Sequence, residues 1–176
     1  LQPTEIQFDT LNDFQPIAYI GETPIALVAK KDFPASDADG FLRHLRANPG
    51  KVNWGTVGQG SISHLLGAWL QLLTNTQMTI VHYKGSAPMQ LDLTAGRLSS
   101  TFLSVFSSVP MARSGKWRVL AYAHDKRSPL LPDVATAREA GLDYDASIWY
   151  AFFTSPGSPA AAIKTLSGEL ADIMRN

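Results

Sequence analysis

Short apolar runs alternate with stretches of helical spacing from residue 17 onward, an order that predicts an α/β layer architecture. Residues 17–20 and 25–29 are two strand candidates parted by the turn-like Gly21-Glu22-Thr23-Pro24. Ser36-Asp37-Ala38-Asp39 has the form of a capped helix start, and the helix it opens keeps Phe41, Leu42 and Leu45 on one face until Pro49-Gly50 stops it. A strand over 52–55 leads into a helix carrying Leu65, Leu66, Trp69, Leu70, Leu72 and Leu73. That helix is apolar almost all round, so it is expected to be buried between layers. Further strands are expected at 79–83, 98–102 and 117–123. The helix after the first of these is expected to start with Pro88, where a missing N–H costs nothing, and a short helix to end near Gly115. Beyond a loop at 128–133, a short helix ends at Gly141, then a strand covers 147–154 and an amphipathic helix covers 158–174. The apolar positions of that last helix are Ile163, Leu166, Leu170, Ile173 and Met174.

The run Gly55-Thr56-Val57-Gly58-Gln59-Gly60-Ser61-Ile62-Ser63-His64 joins the second strand to the apolar helix. Gly58 and Gly60 allow positive φ and close backbone approach, and Ser61 and Ser63 can cap the helix or donate to an oxyanion. First-turn amides would face the same point and hold a carboxylate or phosphate without a cationic side chain. A purely structural strand-to-helix turn uses the same residues. A second turn of this kind, Lys84-Gly85-Ser86-Ala87-Pro88, follows the next strand, and in open α/β sheets such turns gather at one edge. Lys84 could attract an anion there or simply be a solvated turn lysine; Tyr83 could wall a pocket or fill the layer.

Composition narrows the partners. Apolar residues make up 45% and charged ones 17%, and 15 Lys and Arg balance 15 Asp and Glu, so neither nucleic acid nor an anionic membrane surface is an expected partner. Without cysteine there is no disulfide frame, thiolate nucleophile or sulfur-ligated metal. No apolar stretch approaches the ~20 residues of a membrane span. The chain opens at Leu1 with no charged leader before an apolar segment, so an export signal is expected to have been removed or not included.

Several chemistries fail on spacing. The dinucleotide fingerprint needs a third Gly where Ser63 stands, and the phosphate loop needs Lys where Ser61 stands. Gly60-Ser61-Ile62-Ser63 is not a nucleophile elbow. A serine hydrolase using Ser61 with His64 or His82 is the principal rival function, against which a capping role for Ser61 is weighed. His44 and His124 match no zinc spacing, and neither metal nor cofactor is expected.

Taken together, several strings resemble the extracytoplasmic solute receptors of tripartite tricarboxylate transporters, the Bug-type receptors. They are residues 8–17; Ala47-Asn48-Pro49-Gly50-Lys51-Val52-Asn53 followed by Gly58-Gln59-Gly60-Ser61 and Ser63-His64-Leu65; Tyr83-Lys84-Gly85 with Ala87-Pro88; 115–121; and 126–134 through Glu139-Ala140-Gly141-Leu142. The resemblance implies a periplasmic-binding-protein-like (type II) lobe, α/β, with a mixed, mostly parallel sheet and helices on both faces. It implies a non-enzymatic, periplasmic receptor fragment that captures a small carboxylate in an interlobe cleft and delivers it to membrane permease subunits. A sensor domain of the same architecture is the other alternative.

Carried over by that resemblance, the ligand-binding residues would be Thr56, Gly58, Gly60, Ser61, Ser63, Tyr83, Lys84, Gly85 and Ser104. Residues 1–16 would lead in from a first lobe that this chain does not supply, 17–146 would form the binding lobe, and 147–176 would cross back. The sequence departs from the family pattern at Leu103, where an acid often stands, and at His82, where Pro is usual. Loss of the acid would disfavour ammonium-bearing ligands. The last helix, with its apolar stripe, would fold back, be poorly ordered, or be covered by a second copy of the chain.

Overall fold

The computed structural model describes residues 7–175; residues 1–6 of the expected lead-in lie outside the described residues, as does Asn176. The order is β1 (Gln15–Lys30), α1 (Ala38–Ala47), β2 (Asn53–Thr56), α2 (Ile62–Thr74), β3 (Thr79–His82), α3 (Ser86–Thr94), β4 (Ser100–Ser104), α4 (Val105–Arg113), β5 (Trp117–Ala123), β6 (Ser147–Thr154) and α5 (Ala160–Arg175). The chain divides into two compact units, one of Thr23–Ile148 and one of Leu1–Glu22 with Trp149–Asn176.

The strands lie in the order β3-β2-β4-β1-β5, with β6 also paired to β1. The sheet is mixed: β2 runs parallel to β3 and β4, while β1 is antiparallel to β4 and β5. Alternation along β1 builds two cores. Ile25, Leu27 and Ala29 meet Phe41, Leu42 and Leu45 of α1 and Leu66 and Leu70 of α2 in one cluster. Ala26 and Val28 point the other way and join Met89 and Leu93 of α3 with Val105 and Val109 of α4. Helices therefore cover both faces of the sheet in this unit.

Trp54 is the pivot of the first core. Its indole N–H donates to the Ser63 carbonyl at 3.0 Å, and its ring meets Phe102 edge-on at 5.0 Å. Phe102 in turn stacks on Tyr144, which stacks on Trp69 of α2. The Tyr144 hydroxyl donates to the Leu66 carbonyl, and burial pushes its pKa well up. α2 can approach Trp54 this closely because Gly67 faces the indole, where a Cβ would collide with the ring.

Four expectations are corrected. The two strands foreseen at 17–20 and 25–29 are one strand, because Pro24 stands just before Ile25, the first residue paired to both β4 and β5, so its missing N–H breaks neither ladder. α2 is not buried all round. Ser63, Leu66, Gly67, Leu70 and Thr74 face the sheet, while Ile62, Leu65, Trp69, Leu72 and Leu73 are exposed, since a single helical layer lets a helix bury one stripe. Pro88 is the third residue of α3 rather than the first, still within the turn whose amides lack intrahelical partners. No α-helix ends at Gly141. The Thr136 amide donates to the Glu139 carboxylate and the Glu139 amide to the Thr136 hydroxyl, as in a capping box, yet the chain makes only a turn after Thr136 bridges to Tyr122.

In the other unit, Phe14 meets Phe8 at 5.3 Å and Phe153 at 6.1 Å, and Phe153 meets Trp149 at 6.3 Å. No residue of α5 is buried. Among the described residues no helix is long and apolar enough to cross a membrane.

Candidate functional site

The parallel pairing of β2, β3 and β4 sends Thr56, His82 and Ser104 out of the same edge of the sheet. Each strand then turns directly into a helix, so the N-termini of α2, α3 and α4 collect there. Two of these turns are stitched together: the Tyr83 amide donates to the Thr56 carbonyl at 2.9 Å, and Gly58 lies beside the Tyr83 carbonyl.

The first turn is held by its own side chains. Gly58 and Gly60 take φ of 130° and 77°, which a side-chain-bearing residue would resist. Ser61 is the N-cap of α2: its Oγ accepts from the His64 amide and donates to the Gly58 carbonyl at 2.7 Å. Ser63 is buried, and its Oγ accepts the Val57 amide at 3.1 Å. Thr56 is buried with Oγ1 at 2.6 Å from Nδ1 of His82. The Gly60 amide donates to Nδ1 of His64 at 3.0 Å, and the two imidazoles meet edge to face at 4.9 Å. Among the described residues, the amides of Ile62 and Ser63 meet no acceptor.

The second turn differs. Gly85 caps α3 without any side-chain hydrogen bond, so the first amides of that helix are uncapped by side chains. Lys84 is exposed. The Tyr83 hydroxyl donates to Asp92 at 2.9 Å, and Asp92 accepts two bonds from Arg97. Those Arg97 bonds, then the Tyr83 bond, hold the Asp92 carboxyl below its ordinary range, while burial first and Asp92 second push Tyr83 up. At the third turn Ser104 caps α4, accepting from the Ser107 amide at 3.3 Å and lying 3.0 Å from the Ser107 hydroxyl.

The nine sequence-predicted residues thus lie on three neighbouring turns of one sheet edge, but in different states. Ser61, Ser63 and Ser104 brace the backbone, Thr56 meets the His82 imidazole, Tyr83 is turned to α3, and the Gly60 amide is taken up by His64. The two histidines were not among them. The signal for His64 was its place four residues after Gly60, which returns a first-turn side chain onto the loop. Ser61 makes no hydrogen bond to a histidine side chain among the described residues, so the nucleophile–base contact of a serine hydrolase is not formed. Among them there is also no cluster of three or more His, Asp or Glu suited to a metal ion.

A mixed sheet layered by helices on both faces, with its polar turns gathered at one carboxyl edge, has the α/β architecture of a periplasmic-binding-protein lobe of type II. The chain belongs to the tripartite tricarboxylate transporter family receptors (TctC), whose family model matches residues 2–176. It is 32% identical to a UPF0065 protein of Bordetella pertussis over 164 residues, which cover 91% of this chain and 49% of that protein. The chain spans about half the length of the curated relatives it matches. Among solved structures, a periplasmic transporter superposes with a TM-score of 0.92 at 31% identity, covering 98% of this chain and 58% of the other. Rpa4515 of R. palustris, solved with adipate, gives 0.88 at 31% identity over 93% of this chain and 55% of that one. The family is one of receptors and not of enzymes.

Proposed function

We propose that this chain is the ligand-cradling part of a periplasmic receptor that captures a small carboxylate and passes it to the permease subunits of a tripartite tricarboxylate transporter. The observation that carries this reading is the convergence of three helix N-termini at the edge defined by Thr56, His82 and Ser104. Oriented amides of this kind hold an oxyanion without a cationic partner. The open amides of Ile62 and Ser63 and the uncapped start of α3 are the donors; Gly58, Gly60, Ser61, Tyr83, Lys84, Gly85 and Ser104 form the rim. The bound adipate of Rpa4515 supports a carboxylate as the solute class. Leu103 stands buried in the second core, so no carboxylate at that position awaits an ammonium group, and plain carboxylates are favoured over amino acids.

In this reading residues 17–146 are the binding lobe, 1–16 lead into it and 147–176 return toward a further lobe. The test is calorimetric titration of the full-length parent with adipate and other dicarboxylates. Charge-assisted bonds contribute about 1.5 to 3 kcal/mol each, so Gly60→Val, which distorts a turn at positive φ, is expected to weaken binding by about tenfold or more. Unchanged affinity would remove this edge from the mechanism. The present chain alone, with one wall of the site, is expected to bind the same solutes at about millimolar affinity or weaker.

A further inference from the structure

The Gly60 amide lies on the rim of the proposed carboxylate cradle, and its hydrogen bond is spent on Nδ1 of His64 at 3.0 Å. That bond fixes the imidazole in one state. To accept, Nδ1 must carry a lone pair, so the bond exists only with the ring neutral and its proton on Nε2. Resting on the carboxylate reading above, we infer that His64 is a proton-linked gate of this site, and that carboxylate capture and protonation of its Nδ1 occur together.

A proton on Nδ1 turns the acceptor into a donor and sets two donors, Gly60 N–H and Nδ1–H, against each other. The contact then becomes repulsive. A carboxylate resolves it by accepting from both, gaining one amide bond and one charge-assisted bond from the imidazolium. The balance is simple: one solvent proton adds to Nδ1, the Gly60 to His64 bond breaks, and two bonds to carboxylate oxygen form. Without a carboxylate, the neutral ring keeps the amide closed.

The surroundings hold a second imidazole and an exposed lysine. His82, on β3, meets the His64 ring at 4.9 Å and is itself held by Thr56, so a charge on one imidazole opposes a charge on the other. The turn after β3 carries the exposed Lys84, and α3 carries Asp92, which is committed to Arg97 and to the Tyr83 hydroxyl. The first turns of α2 and α4 contain no acid. No carboxylate of the protein's own is therefore placed in these turns to take the part of the ligand.

The test is a pH series of nitrogen-detected NMR on the chain, with adipate titrations of the full-length parent at the same pH values. In the free chain, the Gly60 amide shift is expected to follow the His64 titration with the same midpoint. Adipate binding is expected to take up close to one proton above that midpoint, its affinity falling about tenfold per pH unit. His64→Asn, which keeps an oxygen acceptor near the amide but cannot take a proton there, is expected to flatten the profile at the weak, high-pH level. A Gly60 amide indifferent to His64 in the wild type, or adipate binding equally strong from pH 5.5 to 8, overturns the gate and leaves the receptor reading standing. Absence of binding by any dicarboxylate at every pH removes both.

Discussion

Gly67 shows how one residue sets the distance between a helix and the sheet. By helix propensity alone, Gly67→Ala would stabilise an exposed helix by about 1 kcal/mol. Here the added methyl enters the Trp54 indole, whose N–H is tied to the Ser63 carbonyl, so the ring has no free direction to yield. Overpacking of this kind costs about 1–3 kcal/mol, so the substitution is expected to lower the urea midpoint and alter the near-ultraviolet circular dichroism of tryptophan. A raised midpoint would mean that α2 slides freely over Trp54. At Asp92 the sign is set by charge. Its folded pKa lies below the ordinary 3.8, chiefly through Arg97 and then Tyr83, so its contribution is present above that value and lost as pH falls through the folded pKa. Acidification through that lowered folded pKa, below 3.8, is expected to release the Tyr83 hydroxyl, visible as a change in its ring resonances, while Asp92→Asn should lack that acid-side step.

Among the elements, those written by local chemistry were legible in the sequence. α1 starts within the expected segment 36–39, with Asp37 as its cap accepting from the Gly40 amide, and β5 and β6 occupy the expected residues. What the sequence concealed was set by neighbours. The burial pattern of α2 depends on whether a second layer lies over Leu65, Leu72 and Leu73, which composition cannot say. Likewise the closed state of the Gly60 amide depends on a side chain four residues on, and a glycine pattern alone reads as an open donor. Gly21-Glu22-Thr23-Pro24 reads as a turn because Pro and Gly usually break strands, yet Pro24 precedes the first pair of both the β4 and β5 ladders, so neither needs its N–H. α5 tests another expectation. With no residue buried and Leu166, Ile173 and Met174 exposed, it is expected to promote self-association at high concentration. Deletion after Thr154 should then lower the mass measured by sedimentation; a monomeric intact chain with slowly exchanging amides over 163–174 would contradict this.

At the scale of the whole molecule, topology rather than any single motif places three polar turns together. The second and third turns are far apart in sequence from one another and from the first, but parallel pairing of β2 with β3 and β4 brings all three to one edge. The strands that feed this edge are backed by Trp54, Leu98, Phe102 and Met89, all buried. Preorganised donors lose little freedom on binding, which is what a receptor needs if it is to recognise a small solute by a few bonds. The most direct measurement is a ¹H–¹⁵N titration of the chain with adipate at tens of millimolar, chosen for the expected millimolar affinity. The shifted amides are expected to cluster at 58–63, 84–87 and 104–107. Shifts confined to the opposite edge, around Lys30, Gly96 and Lys116, or no shifts in the three turns, would contradict a carboxylate cradle at this edge.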